Sequence, residues 1–261
     1  QGFSAIRGRV PGLRVFLAYH CCYLKDLDDP AKGYLHPDSP MMDPRVRKAL
    51  SKAVEREALN KAFFAGKGEI MQVNHFHPSR PGWDPAWEKR YQEEYGYDPE
   101  RAKAILREAG YGADRAPRPT IIMQPNALFS GSDDLLEAIA GYWRAIGAAP
   151  ELAQLTNVQV ADQRRQLRFN NHVSLTATSA HLFIGVGIYN TPFSSRGSGT
   201  EDVAINAIYN QVKTTLDDQK QEPLWRKLGE GIFQRQMDVP LFWLPAEAVV
   251  NPSIVRDWVY P

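Results

Sequence analysis

The sequence predicts an α/β fold, with a mixed, mostly parallel sheet flanked by helices. Between residues 119 and 178, short apolar runs alternate with amphipathic helical stretches, the pattern of strands joined by crossover helices. The helices before that stretch carry explicit start and stop signals. The 261 residues, 43% hydrophobic and 23% charged, suffice for one large core or two smaller ones in ordinary globular proportions.

Residues 13–24 (LRVFLAYHCCYL) are apolar, β-branched and aromatic and read as a buried strand. Cys21 and Cys22 are then strand neighbours on opposite faces, one thiol buried and one on the other side. A vicinal disulfide or a metal pair is the alternative. The segment 25–42, rich in Asp, Pro, Gly and Ser, reads as a surface loop.

Asp43-Pro44 supplies a capping acceptor and a proline at the first helical position, opening helices over 43–53 and 55–64. Gly66 sits at the left-handed stop. Residues 66–96 contain Pro78, Pro81, Gly82 and Pro85 and read as irregular, with a helical turn at 85–91. There Trp83 and Trp87 serve better as pins for the loop than as a stacking surface for a ligand. Asp98-Pro99 opens a third helix through 109, ended by Gly110.

Residues 119–124 read as a strand. Ser130 and Asp133 form a capping box for a helix through 146, with Leu135, Leu136, Ile139, Ala140, Trp143 and Ile146 on one face. That spacing marks a core face, not a cofactor box. A strand at 148–155, a helix through 167 capped by Thr156 and Gln159, and a strand at 172–178 follow. Beyond a Gly/Ser-rich loop at 194–200 come helices over 201–214 and 218–236 and strands over 239–244 and 246–250.

Several function classes are disfavoured. The formal net charge is +1 with no basic stripe, against nucleic-acid binding. No run of 18 apolar residues exists to cross a membrane as a helix. There is no G-x-S-x-G elbow, so Ser198 has no nucleophile context, and no Walker loop or dinucleotide fingerprint. His75-x-His77 offers two metal ligands from one segment, yet a pair in a proline-rich loop reads better as surface. Arg45 and Arg47 tempt as anion ligands, but guanidinium forks that hold neighbouring carbonyls and carboxylates are the better reading.

Three strings carry a resemblance. Asp43, Arg45, Val46, Arg47 and Ala49 lead into Glu55, Arg56, Glu57 and Gly66. The helix from Tyr97 contributes Asp98, Pro99, Ala102, Lys103, Leu106, Ala109, Gly110 and Tyr111. Leu-Asp-Asp at 216–218 and Val-Pro-Leu-Phe-Trp at 239–243 continue the pattern. Together they resemble the extracytoplasmic solute-binding proteins of the oligopeptide/dipeptide/nickel class, family 5. The resemblance implies one lobe of a type II periplasmic binding protein-like fold and the substrate-binding component of an ABC importer. It implies no enzyme activity and no cofactor; an extracytoplasmic sensor or an exported hydrolase is the alternative. It further implies a periplasmic or lipid-anchored cell-surface location and a monomer with two partners: membrane permease subunits and an amino-terminal lobe of the same polypeptide. On this basis 1–20 enters from that lobe or the hinge, 21–244 is the second lobe, and 245–261 returns toward the hinge.

The ligand site is expected in 176–196 (TATSAHLFIGVGIYNTPFSSR), beyond the carboxyl end of a sheet strand, where α/β sheets place their crevices. The ligand-binding set is Thr178, Ser179, His181, Phe183, Tyr189, Asn190 and Arg196, a mixture of aromatic and sparse polar groups. Peptide-binding relatives resemble this stretch but carry an aspartate that holds the peptide amino terminus. Here no acidic residue lies between Asp162 and Glu201. The expectation is a neutral polar or anionic ligand, with Arg196 or His181 meeting a carboxylate or hydroxyl.

Overall fold

A computed structural model describes residues 2–124, 129, 131–179 and 201–255. Six strands form one sheet: β1 (Ser4–His20), β2 (Glu69–Ile70), β3 (Thr120–Met123), β4 (Glu151–Gln154), β5 (His172–Ser179) and β6 (Asp238–Val250), in the order β2-β6-β1-β5-β3-β4. The sheet is mixed, as expected, but its parallel share is smaller than the alternation implied. Only β3 pairs in parallel, with β4 and β5; β1 runs antiparallel to β5 and β6, and β2 antiparallel to β6. Crossover helices generate parallel pairs only within 119–178. The two longest strands come from opposite ends of the chain and lie side by side without one.

β1 begins nine residues earlier than the apolar run, at Ser4 rather than 13. Arg7, Gly8, Pro11 and Gly12 break the apolar pattern; among the described residues this part pairs only with β6, from Ser4 opposite Val250 to Pro11 opposite Pro245. The two closing strands are one, since Pro245 sits at a register shift where its missing N–H breaks no regular ladder. Among the described residues, β1 and β6 therefore run on as a two-stranded ribbon beyond Ser179, the last described residue of β5.

Among the described residues there are eight α-helices: α1 (Pro44–Lys52), α2 (Arg56–Phe64), α3 (Ala86–Glu94), α4 (Pro99–Glu108), α5 (Ser132–Ala145), α6 (Asn157–Arg165), α7 (Val203–Thr214) and α8 (Asp218–Arg235). The caps explain their starts. Asp43 accepts the Arg45 N–H at 2.8 Å and Asp98 the Arg101 N–H at 2.9 Å. Thr156 and Gln159 close both halves of their box, at 3.2 and 2.8 Å. Gly66 and Gly110 take the expected left-handed turns, at φ 72° and 84°. For α5 the box is replaced: Gly131 is the N-cap at φ 86° with no side-chain cap, and Ser130 lies outside the described residues. The turn expected at 85–91 is the full helix α3.

The largest core packs α1, α2, α4 and α5 on the sheet, with Leu135, Leu136, Ile139, Ala140, Trp143 and Ile146 all buried in it. A second core joins α3, α7 and α8 to Val73 and Phe76. There Trp87 is fully buried and donates to Glu230 at 2.7 Å, with Trp83 edge-on to it, so the tryptophans do pin their loop. Arg47 is also structural: its guanidinium donates to the carbonyls of Gln236, Met41, Met42 and Arg235. Burial holds its pKa below the usual arginine value. Arg45 grips Asp43 and the Glu108 carbonyl.

Two expectations need correction. Cys21 and Cys22 do not point to opposite faces; their sulfurs are bonded to each other and both residues are buried. β1 ends at His20, so the alternation rule for strand neighbours no longer applies to them. His75 and His77 are not surface residues: both are buried, because segment 71–80 folds back over the sheet. His75 adopts φ 74° to make that bend.

Candidate functional site

The last two residues of β5 fix the location. Thr178 stands opposite Arg14 and Ser179 opposite Leu13, which in turn faces Leu244 of β6. Partners across a ladder share a face, so half-buried Thr178 lies beside Arg14. His181, Phe183, Tyr189, Asn190 and Arg196 lie outside the described residues. The structure thus brings Thr178 and exposed Ser179 to the sheet end from which the β1/β6 ribbon departs.

Around them stand groups whose proximity no local sequence pattern shows. Arg14 is 2% exposed, its Nη1 3.2 Å from His75 Nε2 and its guanidinium 5.2 Å over the Phe16 ring. Since arginine only donates, His75 Nε2 is the acceptor in this contact. On β6, Trp243 faces Arg14 on one side and Glu69 of β2 on the other. Arg80 lies 5.8 Å over the Trp243 ring and donates to the Pro11 carbonyl at 3.3 Å; burial lowers its pKa. His77 meets Trp243 edge-on at 5.5 Å, contacts Ser79 Oγ through Nδ1 at 2.7 Å and Glu69 through Nε2 at 3.1 Å.

Two concavities flank this cluster. One encloses about 160 Å³ between Gly8, Pro11, Lys67, Glu69, His77 and Trp243. The other, about 450 Å³, has Phe63 and Phe64 as an apolar wall and shares Lys67, Leu244 and Pro245 with the first. The charge balance is cationic: Arg7, Arg14, Arg80 and Lys67 stand against Glu69 and Glu247, and Glu247 pairs with Arg7 and, at 3.4 Å, with Lys67.

Fixed donors and aromatic faces suit this end of the lobe to holding a polar solute. A serine–histidine contact does occur, His20 Nε2 to Ser174 Oγ at 2.7 Å, but both residues are sealed at 1% and 2% exposure, so no substrate reaches them. Among the described residues no cluster of three His, Cys, Asp or Glu side chains is placed to hold a metal ion. No described helix is long and apolar enough to cross a membrane.

Arg14 escaped the sequence reading because it lies inside an apolar strand run. The signal was there: an arginine buried in a strand must be held by specific partners. Trp243 sits inside the family-like string at 239–243, and His75 inside a proline-rich segment, so neither stands out locally.

The profile described as "Bacterial extracellular solute-binding proteins, family 5 Middle" matches residues 24–199, more than half of the chain, and the chain belongs to this family. Among solved structures, HbpA2 from Haemophilus parasuis superposes with a TM-score of 0.73 at 18% identity, over 95% of this chain and 46% of that one. DppA from Helicobacter pylori, in complex with the peptide STSA, gives 0.71 at 17%, over 94% and 44%. NikA from Brucella suis, in complex with Fe(III)-EDTA, gives 0.68 at 18%, over 97% and 49%. At these identities the likeness is one of fold, periplasmic binding protein-like. The chain spans about half the length of the structures it matches. No curated protein sequence matches it.

Proposed function

We propose that the chain is the second lobe of the substrate-binding component of an ABC importer. It captures a small polar solute outside the cytoplasmic membrane and delivers it to the permease when the lobes close. The observation that carries this is the coverage: nearly all of the chain fits family-5 folds, yet it accounts for under half of each matched chain. The other half of a cleft is then supplied by an amino-terminal lobe. Residues 1–20 and 245–261 lead toward it, and the pairing of β1 with β6 from Ser4 opposite Val250 supports this.

On this reading Thr178 and Ser179, with His181, Phe183, Tyr189, Asn190 and Arg196 beyond them, line the solute side of the lobe. Closure is a hinge motion, and the solute stabilises the closed state by the contacts made only there. The protein acts as a monomer in the periplasm or as a cell-surface lipoprotein, by binding and not by turnover. Solved relatives carry a peptide in one case and a metal chelate in another, so the family leaves the cargo open.

The test is a thermal-shift panel of peptides, sugars, opines and metal chelates on the full-length protein. A solute that binds only the native state raises the midpoint in a saturable way. The expected result is such a rise with the solute recovered unchanged by mass spectrometry. Conversion of a panel member into product would refute the proposal in favour of an exported hydrolase.

A further inference from the structure

One end of the sheet carries an apolar surface that the core leaves open. Ser179 of β5, Leu13 of β1 and Leu244 of β6 form one row across the sheet, and partners across a ladder share a face. The next row on that face is Ala177, Val15 and Phe242, where Val15 and Phe242 are fully buried in the largest core. At Leu13 the cover ends. Although β1 is an interior strand, Leu13 is 42% exposed.

Aromatic residues stand beside this row. Phe64, at the end of α2, rests on Phe242 with ring centroids 5.0 Å apart and meets Phe129, which follows β3, edge-on at 5.2 Å. Half-buried Phe63 and Phe64, with Leu244 and Pro245, line the groove of about 450 Å³. That volume lies within the range of small-molecule pockets, about 300–1,000 Å³. The parallel strands β3 and β5 finish at this same end, where α/β sheets take their ligands. The charged residues of the lining do not set its character: Lys67 pairs with Glu247, which also holds Arg7, and Lys61 is exposed to water. What remains is ring and aliphatic surface. An apolar group gains by leaving water for it, whereas a charged group set against the rings loses hydration without recompense.

We propose that this groove is an apolar subsite that receives an aliphatic or aromatic side group of the transported solute. Phe63, Phe64 and Leu244 are its walls, and Leu13 continues the contact toward Ser179. The proposal rests on the solute-binding reading and narrows the cargo to a polar solute that carries one apolar arm. The occupant is a solute group because the row joins the groove to Ser179, on the solute side of the lobe, and because its volume matches a small organic group.

The test uses full-length protein with ¹³C-labelled leucine methyl groups, the resonances of Leu13 and Leu244 being those lost in Leu13→Ile and Leu244→Ile. It is titrated with N-acetylleucinamide and with N-acetylglycinamide, which differ only in the side group. The leucine compound is expected to move both resonances in a saturable way and to bind at least about tenfold more tightly than the glycine compound. Leu13→Ser is expected to weaken the Leu244 response about fivefold, and Leu13→Met to restore it. Unmoved leucine resonances, equal affinity for the two compounds, or unchanged affinity in Leu13→Ser would each overturn the subsite. So would nuclear Overhauser contacts from Leu244 to the amino-terminal lobe in solute-free protein, since that lobe would then fill the groove. These outcomes are separable from failure of the importer reading. That reading fails on turnover of a panel solute, whereas the leucine resonances report the groove in either case.

Discussion

Gly229, in the middle of α8, is the position where adding a single methyl group has the most legible consequence. A Cβ built there lies 2.5 Å from Cη2 and 2.8 Å from Cζ2 of Trp87, and 3.1 Å from Cε2 of Phe76. Carbon atoms in good contact sit about 3.5–4.0 Å apart, so the indole has to retreat by roughly 1 Å. It has nowhere to go. Trp87 is stacked on Phe233 at 6.5 Å, edge-on to Phe76 at 5.4 Å and Trp83 at 5.3 Å, and tied by its Nε1 to Glu230. Overpacking of a closed core costs about 1–3 kcal/mol, and a site held on every side belongs at the top of that range. Against this, alanine gains about 1 kcal/mol over glycine in a helix interior. Gly229→Ala therefore destabilises by about 2 kcal/mol net, which is about 4–8 °C in melting temperature for a domain of this size. Urea and thermal unfolding of the full-length variant measure it. In a Trp87→Phe background the penalty of the added methyl should shrink, because the clashing ring is smaller. A Gly229→Ala midpoint equal to or above wild type would refute the packing argument.

Two further perturbations probe the polar framework. Arg56, 4% exposed, donates to the carbonyls of Pro240, Tyr95, Ser51 and Val54 and to Ser51 Oγ. A lysine cannot reproduce that fork, so Arg56→Lys should cost about 3 kcal/mol in urea unfolding, and a loss within experimental error would contradict it. Glu230 is held below the ordinary glutamate range, chiefly by its hydrogen bond to Arg90. A depressed folded pKa means stability that is present above the unfolded value of about 4.3 and lost as pH falls through the folded one. The gap between wild type and Glu230→Gln should be widest at neutral pH and close in acid; a gap that widens on acidification would be the wrong sign.

Much of the scaffold was legible because its signals are local. Asp43-Pro44, Asp98-Pro99 and the Thr156–Gln159 box each act within one helical turn, and all three cap as expected. The parallel strands β3, β4 and β5 were readable for the same reason, as each is joined to the next by a helix. What failed was long-range or marginal. The β1/β6 pairing joins the two ends of the chain and leaves no trace in local pattern, so the sheet looked more parallel than it is. Cys21 and Cys22 were judged by a strand rule that stops applying one residue earlier. His75 was judged by its proline-rich neighbourhood, although its burial is decided by Arg14 and Phe16, some sixty residues away in sequence. The strand end at Thr178 and Ser179 is legible in the sequence, while Arg14 and Trp243 lie hidden within runs that look like core.

The central claim, that this chain supplies half of a closing cleft, is tested most directly by calorimetric titration of the first panel solute that stabilises the full-length protein. The same solute is titrated into the 261-residue chain alone. The account predicts tight binding to the full-length protein and binding at least about 100-fold weaker, or none, to the single lobe, because contacts formed on closure require both halves. Equal affinities, with a submicromolar dissociation constant for the lobe alone, would contradict it.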